Sequence, residues 1–195
     1  MAKQSSSTSG GHSQVRIIGG QWRSRKLTVP DAPGLRPTPD RVRETLFNWL
    51  APYIQGARVL DAFAGSGALF LEALSRGAST GLALDLHAQA IHNLRSNLAL
   101  LNCDNAQALH VNSLEYLSHN ATSGFDIVLL DPPFHQDLLI QTCQLLDSQQ
   151  WLNDRAWVYT ESEQSPSSLG VPSTWRLHRE KHTGQVHYAL WQKLA

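Results

Sequence analysis

The chain has 195 residues, of which 42% are hydrophobic, and this fits one domain of ordinary size with a short extension. No apolar run approaches the ~20 residues that a membrane-spanning helix needs. The two cysteines, Cys103 and Cys143, lack metal-type spacing in a chain without an export signal. Composition therefore argues against a membrane protein, a metal site and a secreted disulfide scaffold, and we expect a cytoplasmic monomer.

Charge is unevenly distributed, although the formal net charge is zero. Residues 1–50 hold 8 of the 16 Lys and Arg residues and 3 of the 16 Asp and Glu residues, a net charge of +5, and the remaining 145 residues carry −5. A basic arm on an acidic body suggests a polyanionic partner such as a nucleic acid. The alternative is a solvated surface with a chance asymmetry.

The N-terminal quarter of the chain is predicted to be an extension. Residues 1–14 are rich in Ser and Gly and are interpreted as a disordered leader. Residues 15–18 and 21–29 are predicted as the strands of a β-hairpin that turns at Gly19 and Gly20. A proline-rich loop follows, and Asp40 is expected to cap a helix that continues to Leu50. A basic hairpin-and-helix extension is therefore predicted over residues 15–55.

From residue 56 onward strands and helices alternate, which is typical of a parallel sheet with helices on both faces. The predicted strands are 58–63, 80–86, 106–111, 125–130 and 156–160. The predicted helices are 68–75, 88–101 and 138–146. Residues 175–181 and 186–191 are predicted as a final antiparallel hairpin that turns at Thr183 and Gly184. Residues 56–195 are therefore predicted to be one α/β domain.

A glycine-rich turn follows the first strand of this domain. Gly65 and Gly67 carry no Cβ, so the backbone there can approach a ligand closely. Asp85 lies 20 residues beyond Gly65, where an acid binds the ribose hydroxyls of a nucleotide-like cofactor. A plain tight turn is the alternative. Phe70 stands where a dinucleotide fold has a third small residue, and Asp61 suits a cationic ligand, so S-adenosylmethionine fits this turn better than NAD does.

The fourth strand ends in the tetrad Asp131-Pro132-Pro133-Phe134. Two prolines have a fixed φ and no N–H group, so they form a stiff exit from the strand. The carboxylate of Asp131 and the carbonyl of Pro132 can then accept both hydrogens of one amino group, and Phe134 offers a face on which a base can stack. This arrangement predicts methylation of an exocyclic base amine. A rigid loop with Asp131 as a helix cap is the alternative.

Together these segments resemble the RsmD-type bacterial methyltransferases, which methylate guanine N2 in 16S ribosomal RNA. The glycine turn and the tetrad are shared by many amino-group methyltransferases, whereas the first two segments of the following list are particular to this family. The matching segments are Arg16-Ile-Ile-Gly-Gly20, Arg36-Pro-Thr38, Asp40-Arg-Val-Arg-Glu-Thr-Leu-Phe47, Asp61-Ala-Phe-Ala-Gly-Ser-Gly-Ala-Leu69, Leu71-Glu-Ala-Leu-Ser-Arg-Gly77 and Asp131-Pro-Pro-Phe134.

The resemblance implies a class I, Rossmann-like methyltransferase fold with a seven-stranded sheet whose last strand is antiparallel. It also implies S-adenosylmethionine as the cofactor and the small ribosomal subunit as the partner. By position, the residues implied beside the methionine part of the cofactor are Asp61, Phe63, Gly65 and Gly67. Asp85 is implied to bind the ribose, and Asn112, Ser113 and Leu114 are implied to lie beside the adenine. Residues Asp131, Pro132, Pro133 and Phe134 are implied to hold the target guanine.

Two positions depart from the family pattern. Phe70 stands where relatives often have glycine, so the packing of the helix on the sheet must differ there. Asn112 stands where related enzymes often have aspartate, but an amide oxygen can still accept a hydrogen bond from the adenine amino group.

Beside a base-methylating site, the basic arm is interpreted as an RNA clamp that contacts phosphates. For Arg41 and Arg43, pairing with carboxylates is the alternative. The candidate RNA-binding residues are Arg16, Arg23, Arg25, Lys26, Arg36, Arg41 and Arg43.

Other functions remain open from the sequence. A methyltransferase of DNA adenine N6 or of protein glutamine would use a similar site, although the glutamine type usually begins its tetrad with Asn. A non-catalytic RNA-binding assembly factor would need neither the tetrad nor the glycine turn. An NAD oxidoreductase is disfavoured by Phe70. We expect an assembled or assembling 30S particle to be a better substrate than naked RNA.

Overall fold

The computed structural model describes residues 13–29, 38–134 and 137–195. Within these ranges the chain forms nine strands, five α-helices and a 3-10 turn at Pro166–Ser168. The strands are β1 (Ser13–Arg16), β2 (Lys26–Val29), β3 (Arg58–Asp61), β4 (Thr80–Asp85), β5 (Ala106–His110), β6 (Phe125–Leu130), β7 (Leu152–Ser162), β8 (Trp175–Thr183) and β9 (Val186–Lys193). The helices are α1 (Asp40–Leu50), α2 (Ala68–Ser75), α3 (Ala88–Leu100), α4 (Ser113–Leu117) and α5 (Leu138–Ser148).

The described strands of the larger sheet follow the order β5-β4-β3-β6-β7-β9-β8. Neighbours from β5 to β7 are parallel, whereas β9 pairs antiparallel with both β7 and β8. The last strand of the chain is therefore the one that runs against the others. This confirms the predicted class I methyltransferase architecture and its separate N-terminal hairpin.

Helices cover both faces of this sheet. Apolar side chains of α1, α2 and α3 join one core cluster with Val59, Ile127 and Tyr159. Leu117 of α4 and Cys143 of α5 join a second cluster on the opposite face. Strand β6 lies between the two layers, which explains why it is apolar almost throughout.

Most predicted elements occur at or near their predicted bounds, and the differences have local causes. Helix α4 was not predicted, because five residues are too few to show helical periodicity. Strand β7 begins at Leu152, four residues before the predicted start. Asp40 does not cap α1 with its side chain, because it is the first helical residue, and its carboxylate bonds Arg43 instead. Residues 1–12 of the predicted leader and residues 30–37 of the predicted proline-rich loop lie outside the described ranges, and β1 begins at Ser13.

The N-terminal hairpin turns later than predicted. β1 pairs with β2 from Ser13 opposite Val29 to Arg16 opposite Lys26, so the predicted strand over residues 21–29 is shortened. Gly19 and Gly20 do not form the tip of the hairpin but lie against the C-terminal end of α2. A Cβ on Gly20, whose φ is 76°, would lie 1.8 Å from the carbonyl oxygen of Ser75. The two glycines therefore permit close docking of the hairpin on the body.

A buried carboxylate on α2 holds this hairpin in place. Glu72 is fully buried and accepts hydrogen bonds from the backbone N–H groups of Ile18 and Gly19, both at 2.8 Å. It also pairs with Arg76 at 2.7 Å and with the buried Arg43 at 3.5 Å. The hairpin is thus continuous with the sheet domain in packing, and the division of the chain after residue 55 stays a prediction.

No helix of the described residues is long and apolar enough to cross a membrane.

Candidate active site

Acidic side chains collect where the parallel strands end. Asp61 is the last residue of β3, Asp85 is the last residue of β4, and Asp131 directly follows β6. Because these strands are adjacent and parallel, their carboxyl ends meet at one edge of the sheet. Ligands bind at this edge in open α/β sheets, and the structure brings the predicted cofactor turn and the predicted tetrad together there.

The glycine turn is shaped by Asp85. The backbone N–H of Gly65 donates to Oδ2 of Asp85 at 2.7 Å, and the backbone N–H of His87 donates to Oδ1 at 2.7 Å. Oδ1 also lies 2.9 Å from Nδ1 of His87, so Oδ2, which accepts one hydrogen bond, is the oxygen with a place left for a ribose hydroxyl. Gly67 has φ 77°, and a Cβ there would lie 2.6 Å from Cδ1 of Leu94. The left-handed backbone at position 67 therefore favours glycine, and a side chain there would also have to displace the end of Leu94 on α3.

Asp61 lies beneath this turn and is almost inaccessible to solvent, with 2% of its surface exposed. The half-buried Phe63 donates its backbone N–H to Oδ1 of Asp61 at 3.2 Å. Burial raises the pKa of Asp61 to about 8, and the nearby carboxylates of Asp131 and Asp85 add to that rise. A cation bound here would relieve both effects, since it stabilises the ionised carboxylate.

The segment predicted to lie beside adenine forms the start of α4. Oδ1 of Asn112 accepts from the backbone N–H groups of Leu114 at 2.9 Å and Glu115 at 3.3 Å. The buried hydroxyl of Ser113 donates to the carbonyl oxygen of Ala62, which ties α4 to the loop after β3. The expectation that the amide oxygen of Asn112 accepts from the adenine amino group must be corrected, because that oxygen already accepts two hydrogen bonds as the cap of α4. The NH2 group is the part of this side chain that is left for a ligand.

The tetrad follows β6 directly, and its first and last residues, Asp131 and Phe134, are accessible to solvent. Asp131 is half-buried, and Pro132 is buried. The hydroxyl of Thr38, just before α1, donates to Oδ2 of Asp131 at 3.4 Å. Burial raises the pKa of Asp131, and the Thr38 hydrogen bond partly opposes that rise. Phe134 exposes 36% of its surface, as a stacking platform for a base requires.

Sequence reasoning missed a second acid beside the tetrad. The ladder between β6 and β7 pairs Leu130 with Thr160, so the next residues, Asp131 and Glu161, lie side by side at the carboxyl ends of adjacent strands. Glu161 is buried and accepts a hydrogen bond from the hydroxyl of Tyr159 at 2.7 Å. Burial, reinforced by the charge of Asp131, raises the pKa of Glu161. The available signal was an acid at the end of an apolar strand, the same pattern that identified Asp61.

The sheet accommodates Phe70, which stands where relatives often have glycine. Phe70 is fully buried on α2, and a Cβ on Gly81 of β4 would lie 2.7 Å from its ring. Glycine on the strand therefore provides the space that the bulky helix residue occupies.

The predicted RNA-binding residues separate into two groups. Arg23, Arg25, Lys26 and Arg41 are exposed, and Arg16 is exposed while it pairs with Asp40 at 3.4 Å. Arg43 must be corrected: 1% of its side chain is accessible, and it pairs with Asp40 at 2.6 Å and with Glu72. Its role is to join α1, α2 and the hairpin, and its side chain cannot reach RNA. Arg36 lies outside the described residues.

Among the described residues, no group of three or more His, Cys, Asp or Glu side chains could hold a metal ion.

Comparison with known proteins identifies the family. Residues 15–192 match the family model described as Conserved hypothetical protein 95. The chain belongs to this family. It is 52% identical to Ribosomal RNA small subunit methyltransferase D of Escherichia coli (strain K12) over 95% of this chain and 93% of that protein. A protein of the same name from Haemophilus influenzae is 48% identical over 92% of this chain and 94% of its own length.

Solved structures agree with this family assignment. A putative methyltransferase, yhhF from Escherichia coli, has a TM-score of 0.86 and 51% identity, and the match covers 94% of this chain and 99% of that one. The 16S rRNA N2 G1207 methyltransferase (RsmC) of T. thermophilus, in complex with AdoMet and guanosine, has a TM-score of 0.67 at 20% identity, covering 95% of this chain and 50% of that one. This second likeness shows the fold. The RsmD-type family and the class I methyltransferase fold are thus confirmed, and with them S-adenosylmethionine as the cofactor.

The residues at the strand ends fit this cofactor. S-adenosylmethionine carries an ammonium and a sulfonium group, and Asp61, Asp131 and Glu161 form an acidic surface in which the pKa of each carboxyl is raised by burial. A cationic ligand lowers the cost of ionising these groups, whereas a pyrophosphate would increase it.

Proposed function

We propose that this chain transfers a methyl group from S-adenosylmethionine to the exocyclic N2 amine of a guanine in 16S ribosomal RNA. The observation that carries the proposal is the position of Asp131, which ends the strand next to the one that leads into the cofactor turn. An amine held at Asp131 lies beside the cofactor, as direct transfer requires. The names of the family's similar members support the ribosomal substrate.

The chemistry follows from two acceptors in a fixed geometry. The bound cofactor supplies an electrophilic methyl group. The Asp131 carboxylate and the Pro132 carbonyl accept the two hydrogens of the amine, which turns the nitrogen lone pair away from the base ring and toward that methyl group. Phe134 supports the base, and the surplus proton leaves to water after transfer. The ionised carboxylate of Asp131 is a stronger acceptor than the protonated acid, so its raised pKa matters for the pH range of the reaction.

We further propose that the exposed cations of the N-terminal arm bind RNA phosphates. The arm is fixed on the body by Glu72, so these charges are held in place relative to the tetrad. Neutralising Arg23, Arg25 and Lys26 together should weaken RNA binding and leave cofactor binding unchanged. Deleting the hairpin would be a poor test, since it would remove the two backbone N–H groups bound to Glu72 and the backbone carbonyl bound to Arg43, and so would also disturb the body. Unchanged RNA binding by the triple variant would refute the role of the arm.

The proposal also covers the form of the RNA substrate, the oligomeric state of the protein and its location in the cell. The basic arm consists of few residues, so a 30S particle, assembled or assembling, is expected to supply specificity through its shape. The chain is proposed to act as a cytoplasmic monomer. Equal rates of methylation on protein-free 16S RNA and on small subunits would refute the preference for the particle.

The deciding experiment measures transfer of labelled methyl to small ribosomal subunits from a strain that lacks the modification. Label in N2-methylguanine is expected, together with its loss in Asp131→Ala. Asp131→Asn is the matched control, because it keeps one acceptor oxygen and should retain more activity than the alanine variant. If the label appeared instead in N6-methyladenine of DNA or in protein glutamine, the proposed RNA substrate would be wrong and that molecule would take its place. Cofactor binding with no transfer to any of these would favour a non-catalytic assembly factor.

A further inference from the structure

Strand β8 forms an exposed edge of the sheet. After the buried Trp175, every residue of the strand to Thr183 is exposed. Edge strands often carry charges that prevent pairing with other chains, and this is the ordinary explanation for its cations. Charges that only prevent edge pairing need not lie on one face of the sheet. The distribution of these cations between the two faces can therefore distinguish edge protection from a binding surface.

A β-bulge places all three cations of β8 on the same face. Arg176 pairs with Gln192, Arg179 with Leu190 and Lys181 with Tyr188, and these partners alternate with residues of the opposite face along β9. The register shifts between Leu177 and Arg179. Without that extra residue, strict alternation would point Arg176 away from Arg179. The three cations are hereafter called the β8 basic face.

Glu180, the acidic residue of the strand, points the other way. It pairs with Ala189, which belongs to the core cluster beneath α4 and α5. The β8 basic face shares its side of the sheet with Tyr188 and Leu190, which belong to the cluster beneath α1. Opposite charges are thus sorted to opposite faces of one strand.

The β8 basic face leads toward the tetrad. Lys181 pairs with Tyr188, and Tyr188 pairs with Glu161, which lies beside Asp131 near the carboxyl end of β7. Three strand-to-strand steps separate β8 from β6, a distance of roughly 14 Å. Lys181 therefore stands level with the amine-binding acid, and Arg179 and Arg176 continue the line toward the other end of the strand.

Aromatic side chains border these cations. A groove of about 520 Å³ lies between the end of α1 and β8, and Trp49, Tyr53, His178, Arg179, Glu180 and Lys181 are among its lining residues. Glu180 therefore borders the groove too, although its register places its side chain toward the opposite face. Tyr53 is 39% exposed and stacks on Trp157 with ring centroids 4.3 Å apart. Cations beside exposed aromatic rings are typical of surfaces that bind single-stranded nucleic acid.

We propose that the β8 basic face binds the phosphate backbone of the RNA substrate, as a second contact surface separate from the N-terminal arm. The arm packs on α2 and α3, and Thr28 of β2 accepts hydrogen bonds from Asn93 and Asn97 of α3. The two basic surfaces therefore lie on the same face of the sheet, on either side of α1. An RNA strand that contacts both basic surfaces would pass over the carboxyl ends of the parallel strands. Asp131 lies there, in position to bind the amino group of the target base. This inference rests on the proposed function.

The test is the salt dependence of binding to a protein-free 16S RNA transcript. Neutralising Arg179 and Lys181 (Arg179→Gln with Lys181→Gln) should reduce the slope of log affinity against log salt by about 1.4, and affinity at 0.1 M salt by about 25-fold, if each contacts one phosphate. Arg155→Gln is the matched control for Arg179→Gln, since Arg155 is exposed near the opposite, amino end of β7. It should change neither quantity, and cofactor binding should be the same in all variants.

Outcomes separate this inference from the proposed function. Loss of affinity in the arm variant but not in the β8 variant would overturn the β8 basic face and leave RNA methylation intact. Failure of the unmodified protein to bind or methylate 16S RNA and small subunits would overturn both. A defect on assembled particles with an unchanged salt slope on free RNA would mean that the face contacts a ribosomal protein, which also refutes the inference.

Discussion

Replacing Glu72 with alanine should release the N-terminal hairpin from the body. The carboxylate accepts from two backbone N–H groups and pairs with two arginines, and all of these contacts are lost together. Each buried N–H left unpaired costs about 1–3 kcal/mol. Breaking a buried ion pair by removing one partner costs about 3–5 kcal/mol when the remaining charge has no other partner, and the cost here is smaller because Arg43 keeps its 2.6 Å pair with Asp40. These terms overlap, so we expect a loss of about 4–6 kcal/mol.

This loss is comparable with the whole stability of a typical domain, which is about 5–15 kcal/mol. Urea unfolding followed by tryptophan fluorescence would measure it, and hydrogen exchange would show whether the amides of Ile18 and Gly19 lose protection first. Glu72→Gln keeps one acceptor oxygen and should lose roughly half as much. Glu44→Ala, on the exposed side of α1, should change stability by less than about 0.5 kcal/mol. A loss below about 1 kcal/mol in Glu72→Ala would refute the docking role of this carboxylate.

Two further predictions concern the hairpin and the cofactor site. Gly20→Ala and Gly184→Ala both place a side chain at positive φ, which costs about 1–2 kcal/mol. Only the new Cβ of Gly20→Ala meets a backbone oxygen, that of Ser75. Its free energy of unfolding in urea should therefore fall by at least about 2 kcal/mol more than that of Gly184→Ala. Equal losses in the two variants would contradict the close approach of Gly20 to α2. For Asp61, burial raises the pKa to about 8, so the folded chain without cofactor holds a proton that the unfolded chain releases near pH 4. The free energy of unfolding of the chain without cofactor should therefore decline as the pH rises from about 4 to about 8, because ionisation of Asp61 favours the unfolded state. Cofactor binding should release protons near pH 7, measurable by calorimetry in buffers of different ionisation enthalpy, and Asp61→Asn should reduce that release, while Glu161 can still contribute to it.

Local patterns were sufficient to predict most of the fold. Helical spacing, alternating strands and turn residues act over a few positions, and they predicted α2 and β6 at their observed bounds. The glycine turn and the tetrad were predicted as one site because parallel strands end at a common edge. Short or irregular pieces were less predictable: α4 has too few residues to show a period, and the hairpin turn moved past Gly20 because α2 occupies that side of the backbone.

The sequence by itself determined that a cofactor turn, an amine-binding tetrad and a basic arm exist on one α/β domain, because each is a short motif with its own chemistry. Only the tertiary structure decided which similar residues share a role. Arg41 and Arg43 are near neighbours in the arm, yet one is exposed and the other is buried against Glu72, which lies 29 residues further along the chain. Glu161 acquires its place beside Asp131 from strand register, and Arg176 joins Arg179 and Lys181 through a bulge. Burial, register and face depend on partners distant in sequence, and a local pattern carries no information about them.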